Sequence, residues 1–184
     1  PELRSALERI GRGRSIFTGE RALKNEKTVD ELVRAMSSLS RQKIGALVVL
    51  EREVGLNDIV ESGTSLGSDV SSELLINIFI PNTPLHDGAV IIDNDKIRAA
   101  ACYLPLSNSN LISKELGTRH RAAVGISERS DCLVVVVSEE TGNISVIEAG
   151  RIDRYFDEDS LKERLKNELV VKEKKADEKE VKDE

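Results

Sequence analysis

The chain has 184 residues, a formal net charge of -6, 33% charged and 39% apolar residues. That length supports one domain with a sizeable core and leaves little room for a second. The balance is that of a soluble globular protein and excludes nucleic acid as a bulk electrostatic partner. Cys102 and Cys132 follow no metal spacing and read as buried free thiols of a reducing compartment, which points to the cytoplasm.

No stretch of eighteen apolar residues is present, so the sequence contains no membrane span. The first 24 residues nevertheless carry Arg4, Arg9, Arg12, Arg14, Arg21 and Lys24 against Glu2, Glu8 and Glu20. A basic excess of this kind follows membrane spans on the cytoplasmic side, and it equally suits a solvated amino-terminal arm.

Leu3, Ala6, Leu7 and Ile10 recur at helical spacing, and Gly11 and Gly13 close that short helix. The Thr28-x-x-Glu31 pattern predicts a helix start, with Val29, Leu32, Val33, Met36 and Leu39 on one face. IGALVVLE, from Ile44, reads as a strand buried on both faces. Gly55, Asn57 and Gly63 mark a loop, and Asp69 to Ile80 restores helical spacing until Pro81 ends it.

The stretch PNTPLHDGAV therefore sits in a loop between that helix and a strand. Ala89 to Ile92 and Ile97 to Leu104 form a hairpin across Asp93-Asn94-Asp95-Lys96. Residues 113–117 make a short connection, and Thr118 is the expected N-cap of a helix through Arg119, His120, Arg121 and Ala122. Cys132 to Val137 is the clearest strand and pairs with Ile144 to Ile147 across SEETGN. A last helix spans Asp159 to about Val171, and the charged tail beyond it cannot bury enough surface to fold.

Interleaved helices and strand hairpins predict an α/β single domain with a central mixed β-sheet flanked by helices. Its boundaries are an arm over 1–27, a domain over 28–171 and a tail over 172–184. There is no internal repeat.

Three stretches carry chemistry. A helix start at Thr118-Arg119-His120 offers unpaired N–H groups, and Arg119 and Arg121 add positive charge, a combination suited to phosphate. The alternative is a solvated basic helix end. In LHDGA, Gly88 permits close approach, Asp87 can serve as a general base or metal ligand, and His86 can ligate metal or orient the turn. The alternative there is an Asp-Gly turn entering a strand.

Ser138-Glu139-Glu140 places two carboxylates at the end of a strand, where ligands of open α/β sheets gather, or forms a polar turn. Together these are the parts of a metal-assisted phosphoryl or nucleotidyl transfer site, while GxxxxGK[ST] and GxGxxG are both absent.

LHDGAV at Leu85–Val90, followed by GTRHRAA at Gly117–Ala123, resembles the Asp-Gly-Ala and Arg-His-Arg motifs of the diadenylate cyclase domain family. The likeness runs from about Gly45 to Gly150 and includes YLPLS at Tyr103–Ser107 and VVVSEETG. It is nearest to the cytosolic part of the family's membrane-anchored, bacterial type.

The resemblance implies the diadenylate cyclase fold and condensation of two ATP into cyclic di-AMP and two pyrophosphates. It implies Asp87, Arg119 and His120 as catalytic residues. ATP would be bound by Gly88, Ala89, Tyr103, Leu104, Thr118, Arg119, His120, Ser138 and Glu140, with adenine beside Tyr103 and Leu104. His86, Asp87 and Glu140 would hold a divalent ion: manganese, magnesium or cobalt.

Each ATP must present its 3'-hydroxyl to the other's α-phosphate, so a homodimer with opposed sites is also implied. Family members of this type further imply a membrane regulator and a phosphoglucosamine mutase as partners. An adenine-nucleotide sensor using the same pocket, and an interaction module in which both motifs are only turn and cap, are the competing readings.

Overall fold

The computed structural model describes residues 18–108 and 116–168, with side chains from residue 26 onward. In chain order the elements are α1 (Thr18–Gln42), β1 (Ala46–Glu51), α2 (Asn57–Glu61), β2 (Thr64–Asp69) and α3 (Ser72–Phe79). The hairpin β3 (Ala89–Asp93) and β4 (Lys96–Cys102) follows, then α4 (Thr118–Ser127), β5 (Leu133–Val137), β6 (Ile144–Glu148) and β7 (Arg151–Phe156). A helix over 158–168, here α5, ends the described chain.

The strands form one seven-stranded sheet in the order β2-β4-β3-β1-β5-β6-β7. β1 runs parallel to β3 and antiparallel to β5, so the sheet is mixed, as the hairpins predict. Every residue of β1 and β5 is buried, which is why their sequences read as unbroken apolar runs. Side chains alternate between the two faces. Val48, Leu50 and Val135 pack with Leu32, Met36, Leu75 and Leu161, whereas Leu47, Val49, Val134 and Val136 pack with Ala123, Val124 and Ile126. The sheet therefore carries α1, α3 and α5 on one face and α4 on the other.

Thr28 does not start a helix. α1 begins at Thr18 and runs through Thr28, which is buried. Residues 18–27 contain no proline and only one glycine, Gly19, so nothing in them breaks the helix. The boundary drawn at 27/28 consequently falls inside α1.

Glu31 caps a different helix: its carboxylate accepts the Ser72 N–H at 2.7 Å, and this bond holds its carboxyl below the usual range. The Ser71 side chain accepts from the Leu74 N–H of the same helix, α3. The helix expected from Asp69 thus begins at Ser72, because Thr64–Asp69 pairs with β4 as an edge strand.

β2, α2 and β7 are elements that the pattern of apolar residues did not announce. β2 and β7 lie at the two edges of the sheet, and their residues are half-buried or exposed. α5 is fastened by charge: Arg52 reaches Glu148 at 2.5 Å and Glu168 at 3.0 Å, and Arg164 reaches Glu148 at 2.9 Å. Lys162 pairs with Asp30 at 2.8 Å and ties α5 to α1. The short helix at Leu3–Ile10, most of the 113–117 connection, the end of the last helix beyond 168 and the tail over 172–184 lie outside the described residues.

Candidate active site

Strand register assembles the site. Val48 pairs with Val90, Ala46 with Val137 and Ala89 with Cys102. Gly45, Gly88, Tyr103 and Ser138 therefore share one end of the sheet, on four adjacent strands. At ~4.8 Å per strand, the Gly88 and Ser138 positions lie roughly 10 Å apart. This edge combines the carboxyl ends of β4 and β5 with the amino ends of β1 and β3, so the rule for parallel sheets does not describe it.

On the β3 side, Gly88 has φ +125°, and a Cβ there would stand 2.7 Å from the Ala101 carbonyl carbon. Only glycine fits that approach. Ala101 itself has φ +54°, at a register shift of the β3–β4 pair. The Asp87 side is open to solvent. His86 Nδ1 lies 2.6 Å from the Thr83 carbonyl oxygen, to which Nδ1–H donates, and this presents Nε2 as the ring nitrogen for a ligand. Tyr103 is 75% exposed, its N–H held by Ser62 Oγ at 3.0 Å, while Leu104 packs partly into the core.

On the β5 side, the N-cap of α4 is Gly117, not Thr118, and no side chain caps this helix. Thr118 is the first helical residue and is exposed. Arg119 lies over Gly45 and pairs with Glu139 at 2.6 Å. His120 is only 4% exposed, with Nε2 3.2 Å from Ser145 Oγ. Burial first, and the charge of Arg154 second, push its imidazole below the ordinary value, so it is neutral at physiological pH.

The turn after β5 is closed by Gly142 N–H to the Ser138 carbonyl at 2.9 Å, and Ser40 Oγ of α1 donates to the Gly142 carbonyl at 2.6 Å.

Thr118, Arg119, His120, Ser138 and Glu140 line one cleft, together with Arg154 of β7. Its cavity volume of about 50 Å³ is far below the ~300–1,000 Å³ of enclosed ligand pockets, so any nucleotide must lie largely across the open edge. His86, Asp87, Gly88, Ala89, Tyr103 and Leu104 stand outside this cleft, two or three strands from β5 along the same edge. Among the described residues no three His, Cys, Asp or Glu side chains gather closely enough to hold a metal, so His86, Asp87 and Glu140 do not form a joint site within one chain.

Sequence reasoning missed Gly45 and Arg154. A glycine directly before a buried strand is the signal for the first; no motif marks the second.

A family model described as "DisA bacterial checkpoint controller nucleotide-binding" matches residues 33–152. The chain belongs to this diadenylate cyclase domain family. It is 55% identical over 92% of its length to the cyclic di-AMP synthase CdaA of Bacillus subtilis, of which it spans 63%. The crystal structure of a DacA double mutant from Staphylococcus aureus superposes with a TM-score of 0.76 at 54% identity, covering 77% of this chain and 95% of that one. A hypothetical membrane spanning protein from Bacillus cereus matches with a TM-score of 0.67 at 46% identity, covering 69% of this chain and 62% of that one. No described helix is long and apolar enough to cross a membrane.

Two predictions follow from the cyclase-domain geometry. A Cβ on Gly45 would stand 2.7 Å from Arg119 Nη1, a flexible side-chain end that can yield. Gly45→Ala is expected to displace Arg119 and weaken nucleotide binding about tenfold by calorimetry, while unfolding stability changes by less than about 1 kcal/mol. For His120, the unfolded chain takes up a proton below about pH 6.5 that the folded site resists. Its contribution is present above that pH and is lost as pH falls, so urea unfolding at pH 7.5 and 5.5 should show a smaller decline in His120→Gln than in the parent.

Proposed function

We propose that this domain is a diadenylate cyclase that joins two ATP molecules into cyclic di-AMP. The observation that carries this reading is the gathering of both motifs on one sheet edge. The glycine-bound approach at Gly88 and the uncapped helix start at Thr118 flank it about two strands apart.

In this reading adenine lies against the exposed Tyr103 and Leu104, where an aromatic face can stack on a base. The ribose and α-phosphate lie at Asp87, Gly88 and Ala89. The phosphate chain runs to Thr118, Arg119 and Ser138, where N–H groups and a guanidinium offset its charge. The 3'-oxygen of one ATP attacks the α-phosphorus of the other, its proton passes to Asp87, and the bond from the α-phosphorus to the bridging oxygen breaks. Two such steps release two pyrophosphates and close the ring. The buried His120 supports the α4 start through Ser145.

The donor set suits a divalent ion that arrives with substrate. Hard cations of this kind use one or two carboxylates plus phosphate oxygens and need no three-residue protein cage. Asp87 and His86 would hold it on one side and Glu140 on the phosphate side, and it would neutralise charge on the reacting phosphates. Manganese, magnesium and cobalt all fit this description.

A single copy presents one such edge, so the reaction needs two copies with their edges opposed. The basic amino-terminal stretch fits attachment just inside a membrane, and regulation by a membrane protein and a phosphoglucosamine mutase belongs to the same proposal.

Incubation with ATP and Mn²⁺ or Mg²⁺ should give cyclic di-AMP by mass spectrometry. Asp87→Asn should lower the rate at least 10²-fold, the scale of a lost general base, with ATP affinity within about threefold. ATP binding without product under any of these ions would favour a nucleotide sensor instead. Activity per chain should also fall as the protein is diluted, and a rate per chain independent of concentration would contradict the opposed-edge requirement.

A further inference from the structure

Of the two arginines that line the cleft, Arg119 belongs to a motif and Arg154 does not. Arg154 sits on the edge strand β7, opposite Ser145 in register. It lines the same cleft as Thr118, Arg119 and Ser138. Its Nε is buried without a hydrogen-bond partner, and no carboxylate pairs with its guanidinium among the described residues. That contrasts with Arg52, Arg98, Arg119 and Arg164, each of which has an acidic partner. A half-buried guanidinium left without an anion is costly unless an anion arrives.

The backbone shows how it is aimed. Ile144 pairs with Phe156 and Ser145 with Arg154, so Tyr155 is an extra residue, and it has φ +69°. For a bulky residue that conformation is strained. The bulge interrupts the alternation of the strand. Ile152 packs on the α4 face, whereas Phe156, an even number of residues later, packs on the opposite face. Arg154 stays on the Ile152 side, near enough for its charge to act on His120. Its Cζ lies 4.9 Å from the centroid of the Tyr155 ring, a stacked arrangement that steadies the fork. Bulges beside active sites commonly redirect a side chain in this way.

We propose that Arg154 is a phosphate-binding residue of this cleft and takes the pyrophosphate end of a nucleoside triphosphate. The inference deepens the reading under Proposed function and rests on its placement of the phosphate chain at the α4 start. The α-phosphate, by that placement, lies toward Asp87, two strands away from β5. The β- and γ-phosphates then extend past Ser138 toward β6 and β7, where Arg154 stands. Arg119 is already engaged by Glu139, so Arg154 supplies cleft charge that no described carboxylate offsets. The same contact would hold pyrophosphate after the bond to the α-phosphorus breaks.

The test is calorimetric titration of the protein, R154Q and R154K with ATP, AMP and inorganic pyrophosphate, alongside cyclic di-AMP formation. R154Q should bind ATP and pyrophosphate at least tenfold more weakly while AMP affinity stays within twofold, with R154K intermediate because it keeps charge and loses the fork. A purely structural role would move AMP and ATP together and lower thermal stability. ATP and pyrophosphate affinities within twofold of the parent in R154Q would overturn the assignment, as would a parent protein that binds neither. Arg154-dependent pyrophosphate binding in a protein that forms no cyclic di-AMP would uphold the assignment and count against cyclase activity alone.

Discussion

The pairing of β1 with β3 on one side and β5 on the other is the constraint on which the site depends. β1 is parallel to β3 and antiparallel to β5. That combination brings the start of β3 and the end of β5 to the same end of the sheet, although 50 residues separate Gly88 from Ser138 in the chain. A one-residue slip would turn every β1 side chain to the opposite face, and all six are buried, so register is fixed by both cores at once. Gly45, at the head of β1, then gives Arg119 the space it occupies.

Electrostatics within the cleft is arranged around phosphate. Arg119 is held by the largely exposed Glu139, a pair that a bound phosphate can compete with, because an exposed ion pair contributes little on its own. Arg154 has no such partner among the described residues. Burial and the charge of Arg154 favour the neutral form of His120, whose Nε2 lies 3.2 Å from Ser145 Oγ. The turn holding Ser138 and Glu140 rests on α1 through Ser40 and Gly142, which couples the longest helix to the cleft by direct contact.

The central strands were legible because burial on both faces leaves an unmistakable apolar run, as in LVVVV of β5. The β3–β4 hairpin and the α4 start were legible through their turn and motif residues. Thr28 misled because a capping pattern is local, whereas Glu31 spends its carboxylate on α3, 41 residues away. β2 and β7 were silent because edge strands are only half covered and carry polar residues such as Ser65, Asp153 and Arg154. The two motifs were visible in the candidate site, but Arg154 was not, since its position depends on a bulge at Tyr155 that no residue type signals.

Amide hydrogen exchange with and without ATP and Mg²⁺ addresses the central claim most directly. If the shared edge is the nucleotide site, peptides covering 86–90, 117–122 and 138–143 should gain protection together, while the β3–β4 turn at Asn94-Asp95, at the opposite end of the sheet, should not change. Protection confined to that opposite end, or to only one of the two motifs, would contradict a single site built by the register of β1.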